Sequence, residues 1–296
     1  MELTLKDKVA VITGGSRGLG LAIAQAYIRA GAKVVIAARS QRTIESALDG
    51  LNAGAPGRAA GQACDVSDIV QVEALATFAV KTFGRIDIWI NNAGLSAPYG
   101  PTAHISSPVY MNVINTNIIG TYNGSMVAMR HFVPQKSGKL INLLGMGDTG
   151  AVKFQNAYTS SKVWVRNFTK VLAAEYKDSG VTVMGFNPGL VLTDMLSQVS
   201  AVAGFEGKVS AIRIVAALWG NQAAVPAAKA LWLASSATDG RTGQMVSVLT
   251  PGFMLGRLFT HGLRLLLRAP IAMMDLKITS VQPVMALVPL PVEETR

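Results

Sequence analysis

The run Val9-Ala10-Val11-Ile12-Thr13-Gly14-Gly15-Ser16-Arg17-Gly18-Leu19-Gly20 limits what this chain can fold into more than any other stretch. Apolar residues lead into a threonine and a glycine-spaced turn, and an apolar-periodic segment, Leu21 to Ala30, follows at once. That order is strand, tight turn, helix. Gly14 lets the chain turn sharply, Gly18 keeps side-chain atoms away from a bound phosphate, and Gly20 lets helix and strand pack closely. The free amides at the helix start can hold a diphosphate. The spacing is T-G-x-x-x-G-x-G, not G-x-G-x-x-G. The placement between strand and helix therefore carries the nucleotide reading, not the glycines alone.

The alternation continues. Strands are predicted at Lys33–Ala38, Ala60–Cys64, Ile86–Ile90, Lys139–Leu144, Val181–Phe186 and Met245–Leu249. Helices are predicted from Arg39 to about Leu51, over Ile69–Phe83, as one long helix over Val109–Phe132, over Ala157–Tyr176 and over Pro226–Ala234. Apolar strands joined by crossover helices give an α/β fold, a doubly wound parallel sheet covered on both faces. Residues 1–250 read as one domain, with 194–224 as a loop-and-helix insert that covers substrate. Residues 251–296 read as an extension. Its first part is apolar, with Arg257, Arg264 and Arg268 on one helical face. Residues 253–274 then either lie on an acidic membrane surface or pack as a helix or dimer element whose arginines reach water. Ile278 to Arg296, with Pro283, Pro289 and Pro291, is expected to be extended or disordered.

The formal charge is +10, from 27 basic and 17 acidic residues. The basic residues are dispersed without aromatic interleaving, which argues against nucleic acid. Cys64 is the only cysteine, so a reducing, cytoplasmic setting is expected, with peripheral membrane contact as the open alternative. No uncharged apolar run reaches the ~20 residues that span a bilayer. His104, His131 and His261 are scattered, so no metal is expected.

Tyr158 and Lys162 are four apart at the start of a predicted helix and share a face. A phenol is a poor base at neutral pH, and a cation beside it favours the phenolate. Such a pair can exchange a proton with an alcohol or carbonyl. Ligands of open parallel sheets bind beyond the carboxyl ends of the strands, where this pair falls.

Residues 6 to about 250 resemble the short-chain dehydrogenases/reductases. The resemblance rests on the turn Thr13 to Gly20, Asp65-Val66, Asn91-Asn92-Ala93-Gly94, Asn117, Tyr158-x-x-x-Lys162, Pro188-Gly189-Leu190-Val191-Leu192-Thr193 and Thr242-Gly243-Gln244, in order and at family spacings. It implies a Rossmann-like sheet of about seven strands and a nicotinamide cofactor. Gly14, Ser16, Arg17, Gly18, Leu19 and Gly20 would hold the cofactor diphosphate, and Asp65 and Val66 would flank the adenine. Asn91, Ala93 and Gly94 would border the cofactor. Pro188, Gly189, Val191 and Thr193 would secure the carboxamide. Tyr158 would be the acid/base and Lys162 would lower its pKa and bind the nicotinamide ribose. Asn117 would hold a water in a proton relay. The family also implies a homodimer or homotetramer packed through the long helices.

Two details refine the reading. Where NAD-preferring members carry an acid at the end of the second strand, this chain has Ala38, and Arg39 follows. With Arg17 it suits a 2′-phosphate, so NADP(H) is favoured over NAD(H). The family's substrate-holding serine, thirteen residues before the tyrosine, is here Gly145. Asn117, Asn156 and Asp148 are candidate stand-ins by proximity in sequence, and a non-catalytic NADP(H)-binding scaffold or sensor is the alternative. The glycines here and the Pro-Gly-x-Val-Leu-Thr-Asp segment also resemble the chlorophyll(ide) b reductase branch. A basic apolar tail and a bulky apolar substrate agree with that branch.

Overall fold

The computed structural model describes residues 3–266 and 275–284. Its strands are β1 (Val9–Thr13), β2 (Lys33–Ala38), β3 (Ala59–Ala63), β4 (Ile88–Asn91), β5 (Gly138–Leu143), β6 (Val181–Asn187), β7 (Gln198–Val202), β8 (Met245–Ser247) and β9 (Lys277–Val281). Its helices are α1 (Gly18–Arg29), α2 (Gln41–Ala53), α3 (Ile69–Phe83), α4 (Ser107–Ile114), α5 (Gly120–Gln135), α6 (Asn156–Glu175), α7 (Asp194–Ser197), α8 (Glu206–Ser210), α9 (Ile212–Trp219), α10 (Ala224–Ala234) and α11 (Pro251–Leu266).

β1 shows why the sheet is covered on both faces. All five of its residues are buried. Ala10 and Ile12 join a core with Ile23, Tyr27, Ile44 and Leu233, from α1, α2 and α10. Val11 points the other way, into a core with Val72, Leu75, Phe132 and Leu172, from α3, α5 and α6. A strand buried on both faces needs apolar residues at consecutive positions. Each such side chain contributes ~1.5 to 3 kcal/mol. The seven-stranded sheet has the order β3-β2-β1-β4-β5-β6-β8, and its pairings are parallel. The chain reverses its direction of winding between β1 and β4. That reversal opens a crevice at the carboxyl ends of these strands.

The long helix predicted over Val109–Phe132 begins at Ser107 and is not uniform. A π-helical turn, Asn115–Ile119, separates α4 from α5. The wider turn places Asn117 fully inside the protein.

The segment 194–224 departs from the expected loops and helices. It contains β7, which pairs in parallel with β9, from Gln198 opposite Lys277 to Val202 opposite Val281. Tyr99 forms a further bridge to Ala201. Val199, Ala201, Val209 and Leu276 are buried together, with Tyr99, Ile212 and Ile278 packed against them. Ile278 is extended, as expected, but within a hydrogen-bonded strand; residues 285–296 lie outside the described residues. α11 packs against α9. Arg257 does not simply reach water: its Nη2 donates to the carbonyl of Gly220 at 2.8 Å and approaches Asn221 Oδ1 at 3.4 Å. The Arg264 side chain, Arg268 and residues 267–274 lie outside what is described.

Candidate active site

The glycine turn is held from below by β4's continuation. Thr13 Oγ1 accepts the amides of Asn92 and Ala93, each at 3.1 Å. Asn92 Nδ2 donates to the carbonyls of Thr13 at 2.9 Å and Gly14 at 3.0 Å. A Cβ on Gly20 would overlap the Gly14 carbonyl, so the helix can approach the turn only as glycine. Gly18 sits at φ +55° and faces open space, where the Thr193 methyl, 3.4 Å from a built Cβ, is the nearest group. The first turn of α1 has no side-chain cap. Its amides and the gap between Gly18 and Thr193 form a cradle that fits a diphosphate.

Arg17 and Arg39 are both exposed at this edge, and neither forms an ion pair among the described residues. Their loops are joined by Thr43, whose hydroxyl lies 3.3 Å from Ser16 Oγ and donates to the Ser40 carbonyl at 2.9 Å. Ser40 and Thr43 were not singled out from sequence, because only the fold brings the start of α2 beside the glycine turn. Cys64 donates its amide to the Ala38 carbonyl, which sets Asp65 and Val66 beside the same edge. The Asp65 carboxylate is engaged locally, accepting from the Ser67 amide and hydroxyl. The Cys64 thiol is buried and pushed up to about 12 by burial, then by Asp65 and Asp68.

At the ends of β4 and β5, Lys162 and Asn117 converge on Gly94. A Cβ built there lies 3.5 Å from Asn117 Oδ1 and 3.8 Å from Lys162 Nζ. Lys162 Nζ donates to the Leu143 carbonyl at 2.9 Å and lies 5.7 Å from the centre of the Tyr158 ring. Asn117 is clamped: its Oδ1 accepts from the Leu95 amide, and its Nδ2 donates to the Leu95 carbonyl and Ser161 Oγ. The Asn91 side chain turns below the crevice, where Nδ2 donates to Asn142 Oδ1 at 2.8 Å and Oδ1 accepts from the Trp89 indole. Only its backbone borders the crevice. Pro188, Gly189 and Val191 follow β6. There Gly189 takes φ +71° and Val191 bridges to Asn221, which aims Thr193 at the glycine turn.

The electrostatics depart from the sequence expectation. Burial, then Tyr99 and Asp148, pushes the Tyr158 phenol up to about 12. Burial pushes the Lys162 ammonium down to about 8, with Asp148 opposing. Burial thus favours the neutral form of both groups.

Gly145 lies directly against Tyr158. A Cβ at this position would overlap the Tyr158 hydroxyl. The place a serine side chain would start is thus taken by the phenol itself. None of the three expected stand-ins offers a donor there. Asp148 is buried and its carboxylate only accepts, from Arg166 Nη1 at 2.7 Å and Asn187 Nδ2 at 3.1 Å. Asn117 is occupied as described. Asn156 is exposed and accepts from Tyr110 and Ser160; two residues before Tyr158, it faces another side of α6. Among the described residues, no three His, Cys, Asp or Glu side chains converge to hold a metal ion.

The family model described as short chain dehydrogenase matches residues 8–203. The 3beta-hydroxysteroid dehydrogenase 1 of Eggerthella lenta is 34% identical over 261 residues, covering 86% of this chain and 98% of that protein. The probable chloroplastic chlorophyll(ide) b reductase of Oryza sativa subsp. japonica is 34% identical over 206 residues. That match covers 63% of this chain but only 40% of the plant protein. Among solved structures, levodione reductase superposes with a TM-score of 0.74 at 27% identity, covering 82% of this chain and 96% of that one. A 3-ketoacyl-(acyl-carrier-protein) reductase from Brucella melitensis, complexed with NADH, superposes with a TM-score of 0.73 at 24% identity and supports the fold.

Proposed function

The chain belongs to the short-chain dehydrogenase family, and from that premise we propose that it is an NADP(H)-dependent oxidoreductase interconverting a carbonyl and an alcohol on a bulky apolar substrate. The observation that carries the proposal is the convergence of Lys162 and Asn117 on Gly94, with the Tyr158 ring 5.7 Å from Lys162 Nζ, beside a turn whose amides and Gly18–Thr193 gap suit a diphosphate. Bound there, the reduced nicotinamide supplies a hydride. Tyr158 donates a proton to the substrate oxygen, for which a phenol held protonated is suited. Lys162 fixes the ribose hydroxyls and supplies the charge that stabilises the phenolate left behind. Asn117, held by the π turn and clamped to Leu95 and Ser161, would keep a water beside Lys162 through the remaining lone pair of Oδ1. Asp65 and Val66 flank the adenine, Ala93 and Gly94 border the cofactor, and Pro188 to Thr193 hold the carboxamide.

Arg17 and Arg39, with Ser16, Ser40 and Thr43 between them, support a 2′-phosphate. The steroid substrates named for relatives in Eggerthella lenta and Mediterraneibacter gnavus support a large apolar substrate. So do the half-exposed Met146 and Met195 after β5 and β6. Exposed Ile119, Tyr122, Val163 and Val171 around the long helices, with Trp164 stacked on Phe168, support a homodimer or homotetramer through that face. Residues 1–250, with cover 194–224, act as the cofactor and catalytic unit, and 251–296 as an extension, in a reducing cytoplasmic setting.

Gly145 favours a second reading, a cofactor-binding scaffold without turnover. The two separate on one experiment: NADPH titration, then NADPH oxidation with a panel of steroid and other bulky ketones, on the wild type and Tyr158→Phe. Turnover that falls at least a hundredfold in the variant, at unchanged NADPH affinity, supports the enzyme, on the order of what a lost proton donor removes. NADPH binding with no turnover in either form supports the scaffold.

A further inference from the structure

The apolar helix α11 has no part in the chemistry above, yet it is not an isolated appendage. It packs against α9 and is tied to the end of that helix through Arg257 and Gly220. On α11, Leu255, Leu258 and Phe259 are 67%, 46% and 74% exposed. Positions spaced by three and four share one helical face. On α9, Ile214 and Val215 are 59% and 40% exposed. Five large apolar side chains on two contacting helices make a surface of the kind that marks an interaction site.

The charge around this surface selects its partner. The sequences of α9 and α11 carry Arg213, Arg257 and Arg264 and no acidic residue, and just before α9 the helix α8 carries Lys208 and Glu206. Lys208 and Arg213 are exposed immediately before Ile214. A second copy docked by a two-fold contact would bring these cations face to face, which is unfavourable. An anionic lipid surface meets both properties at once: apolar side chains enter the acyl boundary and the cations meet the headgroups. No described helix is long and apolar enough to cross a membrane, so the contact lies in the interface plane.

We infer that α9 and α11 together form one face that docks on an anionic bilayer. The face extends beyond the tail itself, because α9 belongs to the segment proposed as the substrate cover. Docking does not depend on catalysis; only the further consequence, that apolar substrate reaches the crevice from the lipid side, rests on the proposed function.

The test is flotation of the full chain with vesicles of phosphatidylcholine alone or mixed with phosphatidylglycerol. Two double variants accompany the wild type, Leu255→Asp with Phe259→Asp and Ile214→Asp with Val215→Asp, each checked for folding by NADPH binding and thermal melt. The wild type is expected to float with the mixed vesicles and not with neutral ones. Both variants are expected to lose roughly tenfold or more of that binding, and added salt to weaken the wild type. Wild type that stays at the bottom with both vesicles overturns the proposal. So does equal flotation on neutral vesicles, or an α9 variant that floats like the wild type. Sedimentation that shows a dimer lost in both variants, without lipid binding, assigns the face to a second copy and also overturns it.

Discussion

Gly145 governs how Tyr158 sits. Because a Cβ there would overlap the phenol oxygen, Gly145→Ser is expected to swing the ring aside and not to add a useful donor. Misplacement by about an ångström costs up to ~10²-fold in rate. Turnover should therefore fall tenfold or more, on the order of that effect. The thermal melt should move little, since the displaced atom is the end of a flexible side chain. Steady-state kinetics beside a melting curve check both halves. Lys162 sets a pH limb. With its ammonium pushed down to about 8, kcat/KM for reduction should fall as pH rises through that value, because the proposed reaction uses the charged form. Lys162→Met should remove the limb along with most activity. The stability effect has the opposite trend: the unfolded chain binds more protons between pH 8 and the ordinary lysine value of 10.5, so folding should gain stability as pH rises through that window. Tyr158 and Lys162 were legible as a pair because four residues on a helix share a face. Asp148 and Arg166 were not, since a loop residue and a helical residue eighteen apart meet only when α6 docks beside β5.

At the scale of elements, the Asp148–Arg166 pair ties the loop after β5 to α6, and Asn187 ties both to β6. Arg166→Met leaves a buried carboxylate short of its cation and should destabilise the fold by about 3 kcal/mol, read from chemical denaturation. Asp148→Asn should move the kcat/KM limb to lower pH, because Asp148 is what raises the Lys162 value against burial. The cofactor edge is shared between two elements in the same way. Arg17→Ala with Arg39→Asp should weaken NADPH relative to NADH by roughly tenfold to a hundredfold, the size of one or two lost charge-assisted hydrogen bonds. Competitive titration of the two nucleotides checks it. β1, β2 and the neighbouring strands were readable because burial on both faces demands consecutive apolar residues. β7 and β9 escaped: Gln198 to Val202 and Lys277 to Val281 are short and partly polar, and their pairing spans most of the remaining chain. The π turn escaped for a related reason. A helix widened to bury one asparagine keeps an ordinary helical pattern on either side.

For the whole molecule, the small sheet is where distant parts of the chain meet. Removing residues 275–296 deletes β9 and leaves Arg213 without the Leu276 carbonyl and Glu206 without the Ser280 hydroxyl. The expected outcome is a higher KM for the proposed bulky ketone substrate and faster proteolytic nicking between residues 198 and 213, with NADPH affinity unchanged. Kinetics and limited proteolysis of the same preparation check it. The parallel pairing of β7 with β9 also fixes an order of assembly. Residues 9–94 already contain the glycine turn and its supporting asparagine, Asn92, so this side of the crevice can consolidate while translation is still in its first third. The strip formed by Tyr99, β7 and β9 cannot close until the ribosome has passed residue 281. A stalled or nicked product would then occupy dinucleotide without sealing a ketone beside it, and in the cell would act as a sink for reductant rather than as a source of product.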